Sequence, residues 1–294
     1  MNSAGRGDGL QVAVLGTGIM GSAMARNLVG AGLATTIWDQ SSAATAALGQ
    51  AGARVARSAA EAVTGADVVI TMLPTADAVS SVMFNGPATA FGPGAVWAQM
   101  GTIGVPATME IAGRLSHLRP DVLFVDAPVS GSKGPAEHGQ LLVLASGPAA
   151  AKPLLDPVLG AVGRKTVWLG DAGAGSRMKL AVNAYMSVLI EGAAEALELA
   201  QRLGIEPAKL DEAIEGGPLD APIAGAKLHK MEQGDYAPEF PLQWALKDVD
   251  LAIEAAGDSP LPLLSALSEQ WRSAVMDGHG REDISAARLA LASR

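Results

Sequence analysis

The chain has 294 residues, of which 49% are hydrophobic and only 4% aromatic, and its formal net charge is -9 at pH 7. An acidic chain without a basic stripe does not favour nucleic acid or an anionic membrane as a partner, so we expect small solutes instead. The lack of cysteine excludes a disulfide framework, a thiolate metal site and a cysteine nucleophile, so redox chemistry must come from a cofactor.

The length favours two domains, because a single core rarely grows beyond about 250–300 residues. The first ten residues are polar and rich in glycine, and they contain no apolar segment of signal-peptide length. No run approaches the roughly 20 apolar residues of a membrane span. We therefore expect a soluble cytoplasmic protein with a flexible tail over residues 1–10.

The next part of the chain alternates short β-branched runs with Ala-rich segments, which predicts βαβ units around a doubly wound parallel sheet. We assign residues 11–171 to this Rossmann-type α/β domain. The predicted strands are 12–15, 35–38, 68–72, 95–99, 123–127, 141–145 and 166–169.

After Gly170 the pattern changes to periodic apolar positions, which predict one long helix over 178–203. Gly173 and Gly175 precede this helix, and Gly204 and Pro207 follow it, as is typical of helix ends. Further helices are predicted at 207–215, 221–232, 242–256 and 262–277. Residues 172–294 are thus predicted to form an all-α domain.

A glycine motif lies between the first strand and the first helix. Gly16, Gly18 and Gly21 form the motif G-x-G-x-x-G. Gly16 permits the tight turn, Gly18 permits the approach of a pyrophosphate, and Gly21 permits close packing of the helix. The intervening Thr17, Ile19 and Met20 complete the predicted cofactor loop. The alternative is that these glycines only terminate a strand.

Asp39 follows the second predicted strand, where a carboxylate can accept hydrogen bonds from the adenosine ribose. The same charge would repel a 2′-phosphate, and no arginine follows, so NAD is favoured over NADP. The alternative is that Asp39 caps the next helix.

Four blocks resemble the β-hydroxyacid dehydrogenase family across nearly the whole chain, in the family's order. They are GTGIMGSAMARNL from position 16, DAPVSGSKGPAEHGQL from 126, GAGSRMKLAVN from 173 and LKDVDLA from 246. The family includes 3-hydroxyisobutyrate dehydrogenases, tartronate semialdehyde reductases and glyoxylate/succinic semialdehyde reductases, and the wording SGSKGPAE is closer to the last group.

The resemblance implies hydride transfer between nicotinamide and a small 3- or 4-hydroxy acid or semialdehyde, in a homodimer or homotetramer. It places proton transfer at Lys179, cofactor contacts at Leu73, Pro74, Thr102 and Lys247, and substrate contacts at Ser130, Gly131, Asn183, Phe240 and Asp248. Two departures stand out. The usual D-x-S-T reads Gln99-Met100-Gly101-Thr102, which removes a serine that contacts substrate, and Asp39-Gln40 replaces the Asn-Arg of NADPH-preferring reductases.

Lys179 suits the chemistry, since hydride transfer to a carbonyl builds negative charge on the oxygen, which an ammonium can stabilise and protonate. Oxidation would need the neutral amine, so it should favour alkaline pH. Asn183 lies four residues later, on the same helix face. The alternative is a lysine that snorkels from an apolar helix to solvent.

No metal is expected, because the four histidines are scattered and the acidic residues form no liganding cluster. Two rival functions remain at this stage. One is an imine reductase, which generally carries another residue in place of Lys179. The other is a non-catalytic NAD-binding scaffold or sensor.

Overall fold

The structure, a computed structural model, describes residues 9–292. Residues 1–8 of the expected flexible tail lie outside the described residues. The chain divides into two compact units, the first ending at Lys179 and the second beginning at Leu180. The domain boundary predicted at 171/172 stays a prediction.

The main sheet of the first unit has six parallel strands in the order β3-β2-β1-β4-β5-β6, which confirms the doubly wound α/β fold. All seven predicted strands exist, and two short strands, β3 and β7, were not predicted. The strands are β1 (Gln11–Leu15), β2 (Ala34–Trp38), β3 (Arg54–Val55), β4 (Val68–Thr71), β5 (Val96–Gln99), β6 (Leu123–Asp126), β7 (Val129–Ser130), β8 (Leu141–Ala145) and β9 (Gly163–Trp168).

Helices cover both faces of this sheet, so the central strands β4 and β5 are buried along their whole length and are apolar except for Thr71 and Gln99. On one face Met24 and Leu28 of α1 pack into the core. On the other face Trp97 meets Phe124 edge to face, with ring centroids 5.3 Å apart. The helices of this unit are α1 (Ile19–Gly30), α2 (Ser42–Gln50), α3 (Ala59–Val63), α4 (Ala76–Phe84), α5 (Pro87–Ala90), α6 (Val105–Leu118), α7 (Lys133–Glu137) and α8 (Lys152–Val162).

The expectation that the last two strands extend the parallel sheet is wrong. β8 and β9 form a separate three-stranded sheet with β7, which is antiparallel to β8. The reason lies at the end of β6, where the backbone of Asp126 pairs with Ser146 in an antiparallel bridge. This pairing uses the edge on which a further parallel strand would add.

The second unit contains no strand among its described residues, in agreement with the predicted all-α region. Its long helix α9 (Ala174–Arg202) begins in the first unit and starts four residues earlier than predicted. The remaining helices are α10 (Pro207–Ile214), α11 (Pro222–Gln233), α12 (Leu242–Ala256), α13 (Pro262–Met276) and α14 (Leu289–Ala292), with 3₁₀ turns at His279–Arg281 and Ile284–Arg288.

Helix α9 is the one described helix that is long and apolar enough to cross a membrane by length and composition. An 18-residue window of it has a mean hydropathy of 1.2, and 39% of that window is buried. Core helices of soluble proteins meet the same criterion. The sequence expectation, based on uninterrupted apolar runs, did not single out this helix.

Candidate active site

The glycine loop follows β1 and precedes α1. Gly16 has a φ of +95°, and a Cβ there would lie 2.5 Å from the Met72 carbonyl oxygen, so only glycine suits this turn. A Cβ on Gly21 would collide with the carbonyl oxygen of Gly16. At Gly18, by contrast, a Cβ would meet no described atom within 4 Å. The loop is therefore packed against the protein at two glycines and open at the third.

Gly18 is the N-cap residue of α1, and no side chain caps this helix. An uncapped helix N-terminus presents backbone N–H groups and a positive dipole end to an anion. The open surface at Gly18 and the uncapped helix fit the pyrophosphate of a dinucleotide.

The Asp39 carboxylate contacts this loop directly. Its Oδ2 accepts a hydrogen bond of 2.7 Å from the backbone N–H of Thr17, and its Oδ1 accepts one of 2.9 Å from Ser41. Helix α2 starts at Ser42 with Ser41 as its N-cap residue, so the alternative role of Asp39 as the N-cap residue is wrong. Oδ2 also accepts a hydrogen bond of 3.3 Å from Thr17 Oγ1, so the lone pair left for a further donor, such as a ribose hydroxyl, is on Oδ1.

The loops after β4 and β5 meet beside the glycine loop. A Cβ on Gly16 would lie 2.8 Å from Leu73 Cδ2, and a Cβ on Gly101 would collide with the Leu73 carbonyl oxygen. Pro74 and Thr102 directly follow these two contact points. The loops thus gather at the carboxyl ends of β1, β4 and β5, where open α/β sheets bind ligands.

A buried hydrogen-bond network that the sequence did not indicate holds these two loops. Trp97 Nε1 donates to Thr71 Oγ1 at 2.9 Å, and Thr71 Oγ1 donates to Gln99 Oε1 at 3.1 Å. Gln99 Nε2 donates to the Gly101 carbonyl oxygen at 2.7 Å. Gln99, which stands at the family's D-x-S-T block, thus has a structural role in shaping the loop.

The resemblance that implies substrate contacts at Ser130 and Gly131 also implies that both residues belong to a loop that holds the substrate carboxylate. Ser130 instead lies in β7 and pairs with Leu142, so the prediction of a loop is wrong for this residue. Its backbone is used in strand pairing, because β7 and β8 form an antiparallel ladder. Gly131 starts the following turn with a φ of +135°.

Lys179 lies in the second turn of α9, and it is only 9% exposed. Such burial does not favour the alternative of a lysine that snorkels to solvent. The first turn of α9 is fixed by Asp126, which the sequence reasoning gave no role. Asp126 Oδ2 accepts hydrogen bonds from the backbone N–H groups of Gly173 at 3.1 Å and Ser176 at 2.8 Å.

Three of the predicted site residues come together in the second unit. Asn183 Nδ2 donates to Asp248 Oδ2 at 2.6 Å, and both residues are buried. Lys247 Nζ lies 2.8 Å from Asp248 Oδ1, which is within ion-pair distance but off the direction of a hydrogen bond. The Asn183 Oδ1 atom is buried and has no hydrogen-bond partner among the described residues.

Phe240 lies in the segment just before α12 and is half-buried. Its backbone N–H donates to Asp283 Oδ2 at 3.1 Å, so a buried carboxylate fixes this segment. Within residues 9–292 no group of three or more histidine, aspartate or glutamate side chains could hold a metal ion.

Comparisons with known proteins agree with this architecture. The sequence model described as the NAD binding domain of 6-phosphogluconate dehydrogenase matches residues 11–170. A second, described as NAD-binding of NADP-dependent 3-hydroxyisobutyrate dehydrogenase, matches residues 173–291. The chain is an NAD(P)-dependent oxidoreductase that acts on CH–OH groups, as are the named dehydrogenases and reductases to which it is similar.

Two similar proteins indicate the family within this class of oxidoreductases. Glyoxylate/succinic semialdehyde reductase 2 of Arabidopsis thaliana is 33% identical over 96% of this chain and 79% of its own length. The crystal structure of a 3-hydroxyisobutyrate dehydrogenase from Salmonella typhimurium is also 33% identical, covers 96% of this chain and 99% of its own, and has a TM-score of 0.89. The chain belongs to the β-hydroxyacid dehydrogenase family, as its four sequence blocks predicted.

Proposed function

We propose that this enzyme transfers hydride between NAD and a small 3- or 4-hydroxy acid or its semialdehyde, with Lys179 as the general acid and base. The observation that carries the proposal is the burial of Lys179, at 9% exposure, on a helix whose first turn is fixed by hydrogen bonds. A buried ammonium in a water-poor site stabilises a developing oxyanion far better than an exposed one.

The residues that would hold the dinucleotide are those around the glycine loop. Gly16 to Gly21 and the N-terminus of α1 would bind the pyrophosphate, and Asp39 would accept the ribose hydroxyls. Leu73, Pro74 and Thr102 would border the nicotinamide half, with Lys247 as a further contact. When bound, the nicotinamide supplies or accepts the hydride.

In reduction, Lys179 would donate a proton to the carbonyl oxygen of the substrate as negative charge develops there. In oxidation, the neutral amine would remove the hydroxyl proton, so the rate of oxidation should rise toward alkaline pH. Ser130, Gly131, Asn183, Phe240 and Asp248 would orient the acid, and the buried, unpartnered Oδ1 of Asn183 suits a donor on the substrate.

NAD is proposed over NADP because the Asp39 carboxylate stands at the loop where a 2′-phosphate would bring two further negative charges. A cytoplasmic location also stays a prediction.

The test is a panel assay of NADH and NADPH oxidation with glyoxylate, succinic semialdehyde, tartronate semialdehyde and methylmalonate semialdehyde. The proposal requires turnover of at least one acid, with NADH preferred.

Lys179→Ala should abolish turnover and leave NADH binding intact, whereas Lys165→Ala, at an exposed lysine of β9, should change neither. Activity confined to cyclic imines would favour the imine reductase alternative. NADH binding without any turnover would favour the scaffold.

We also propose that the protein is a homodimer or homotetramer. Apolar and small residues on α9 recur at alternating spacings of four and three, as in a helix-pairing seam, and they are exposed or half-buried: Tyr185, Leu189, Gly192, Ala196 and Leu199. Light scattering after gel filtration should give a dimer or larger species, and Leu199→Glu should lower its mass. A monomeric wild-type protein would contradict this proposal. The same holds whether or not the monomer binds to lipid vesicles.

A further inference from the structure

Asp126 ends the last strand of the main sheet and lies far from Lys179 in the sequence. We propose that Asp126 is the positioning residue for Lys179, because its carboxylate fixes the first turn of the helix that carries the lysine. The inference rests on the proposed role of Lys179, and it assigns a function to a side chain that does not itself react.

The carboxylate accepts hydrogen bonds at both oxygens. Oδ2 accepts the backbone N–H groups of Gly173 and Ser176 and the hydroxyl of Ser146, at 3.1, 2.8 and 3.2 Å. Oδ1 accepts the hydroxyl of Ser176 at 2.8 Å. Asp126 is fully buried, so water does not compete for these bonds.

The bonds account for the start of α9. The first N–H groups of a helix have no partner within the helix and must find one elsewhere. Here the N–H of Ala174 donates to the Asp171 carbonyl at 3.2 Å, that of Gly175 to Ser146 Oγ at 2.9 Å, and that of Ser176 to Asp126. Two of the three partners thus come from the ends of β6 and β8 and lie far away in the sequence.

Steric contact reinforces this attachment. A Cβ on Gly175 would collide with the Leu144 carbonyl oxygen and would lie 2.9 Å from that of Asp126. Thr108 Oγ1 lies 3.1 Å from Ser176 Oγ, which adds a contact from α6. The first turn is therefore fixed by three separate elements of the first unit.

The charge of the group suits this task. An anion at a helix N-terminus is stabilised by the helix dipole. An ionised carboxylate can only accept hydrogen bonds, which matches a set of partners that are all N–H or O–H donors. The pKa of Asp126 is raised above its ordinary value, because the effect of burial outweighs the bonds from Ser176, Ser146 and Gly173, which lower it.

Lys179 follows Ser176 by three residues, which is almost one helical turn. A rotation or shift of the first turn therefore moves the lysine amine by nearly the same amount. Displacement of a catalytic group by about 1 Å can reduce turnover about a hundredfold.

The variant Asp126→Asn replaces one acceptor oxygen by an NH₂ group that faces hydrogen-bond donors. We expect kcat to fall about tenfold to a hundredfold, while the Kd for NADH changes by less than about threefold. Ser176→Ala removes the 2.8 Å side-chain bond to Asp126 and the 3.1 Å contact with Thr108 Oγ1 but keeps the carboxylate, so it should give a smaller loss with the same signature. It keeps the test available if Asp126→Asn folds poorly.

The position of the amine can be measured without turnover. Brief reductive methylation followed by mass spectrometry should label Lys179 faster in Asp126→Asn and Ser176→Ala than in wild type, with exposed Lys165 as internal standard. Glu191→Gln is the matched control, since Glu191 is a buried carboxylate on the same helix that accepts the Trp271 Nε1–H at 2.6 Å. It should lower stability and leave both kcat and Lys179 labelling unchanged.

Unchanged labelling of Lys179 in both variants would overturn the inference, as would a loss of kcat in Glu191→Gln equal to that in Asp126→Asn. Failure of the proposed function is a separate outcome, because it shows in Lys179→Ala. If that variant keeps full activity, Lys179 is not the acid, although labelling would still report whether Asp126 positions it.

Discussion

Gly101 lies so close to Leu73 that a Cβ at position 101 would collide with the Leu73 carbonyl oxygen. The loops after β4 and β5 are therefore in van der Waals contact through their backbones. The family's usual serine at this position could not be accommodated without moving one of the loops. Glycine at this position therefore permits the close packing of the two loops.

We expect Gly101→Ser to separate these loops and to weaken cofactor binding. Because Leu73 and Thr102 border the proposed nicotinamide site, the KM for NADH should rise about tenfold or more, with a lower Tm. Gly113→Ser on α6, where a Cβ would meet nothing within 4 Å, is the control and should leave KM unchanged. An unchanged KM in Gly101→Ser would show that the two loops tolerate separation.

The glycine loop permits a paired comparison. Gly18→Ala should fold with a Tm close to that of wild type, because its φ of −65° suits alanine and the added Cβ meets no described atom within 4 Å. It should nevertheless bind NADH weakly, since the methyl group occupies the surface that a pyrophosphate approaches. Gly21→Ala should instead lower the Tm strongly, because its Cβ would collide with Gly16. Calorimetry and fluorescence titration separate the two effects, and tight NADH binding by Gly18→Ala would contradict the assigned site.

Asp39→Ala should lower the affinity for NADH about tenfold to a hundredfold, because a hydrogen bond to a charged group contributes about 1.5–3 kcal/mol. The affinity for NADPH should change less or increase, since the repelling charge is removed. Asp156→Ala, at an exposed position of α8, is the matched control. Equal losses for both coenzymes would mean that Asp39 only supports the loop through Thr17.

The second unit should lose stability in acid through Asp283. Burial raises the pKa of this carboxyl. The ammonium of Lys227 and the N–H groups of Glu239 and Phe240 together lower the pKa by more than burial raises it, so the pKa lies below the ordinary 3.8. A lowered pKa means that the ionised form contributes stability at pH above 3.8, and this contribution is lost as the pH falls through the folded-state pKa.

Asp283→Asn should therefore be less stable than wild type at neutral pH, and the difference should shrink as the pH falls below about 3.8. Urea unfolding at a series of pH values, followed by circular dichroism, gives the measurement. A difference in the free energy of unfolding that stays constant down to the lowest pH would show that the Asp283 charge has no such role.

Local chemistry made much of this protein predictable. The turn at Gly16 and the packing at Gly21 follow from a motif whose residues are neighbours in the chain. Helices α10 to α13 follow from periodicity, and three of them also have proline at their starts, whereas α14 was not predicted. The resemblance then supplied Lys179 and the pair Asn183 and Asp248, which the structure joins by a hydrogen bond.

Contacts between distant segments were not predictable. The separate sheet of β7 to β9 depends on the pairing of Asp126 with Ser146, which no local pattern encodes. The bonds from Gly173 and Ser176 to Asp126 span 47 and 50 residues. Ser130 has a loop-like composition, yet it pairs in a strand because of its partner Leu142.

The attachment of α9 to Asp126 and Ser146 also bears on the order in which the chain folds. The first turn of this helix takes two of its acceptors from the ends of β6 and β8, so it lacks these partners until both strands have formed, and we expect the turn to form late in folding. The amide proton of Ser176 should then exchange with deuterium only through opening of the surrounding sheet.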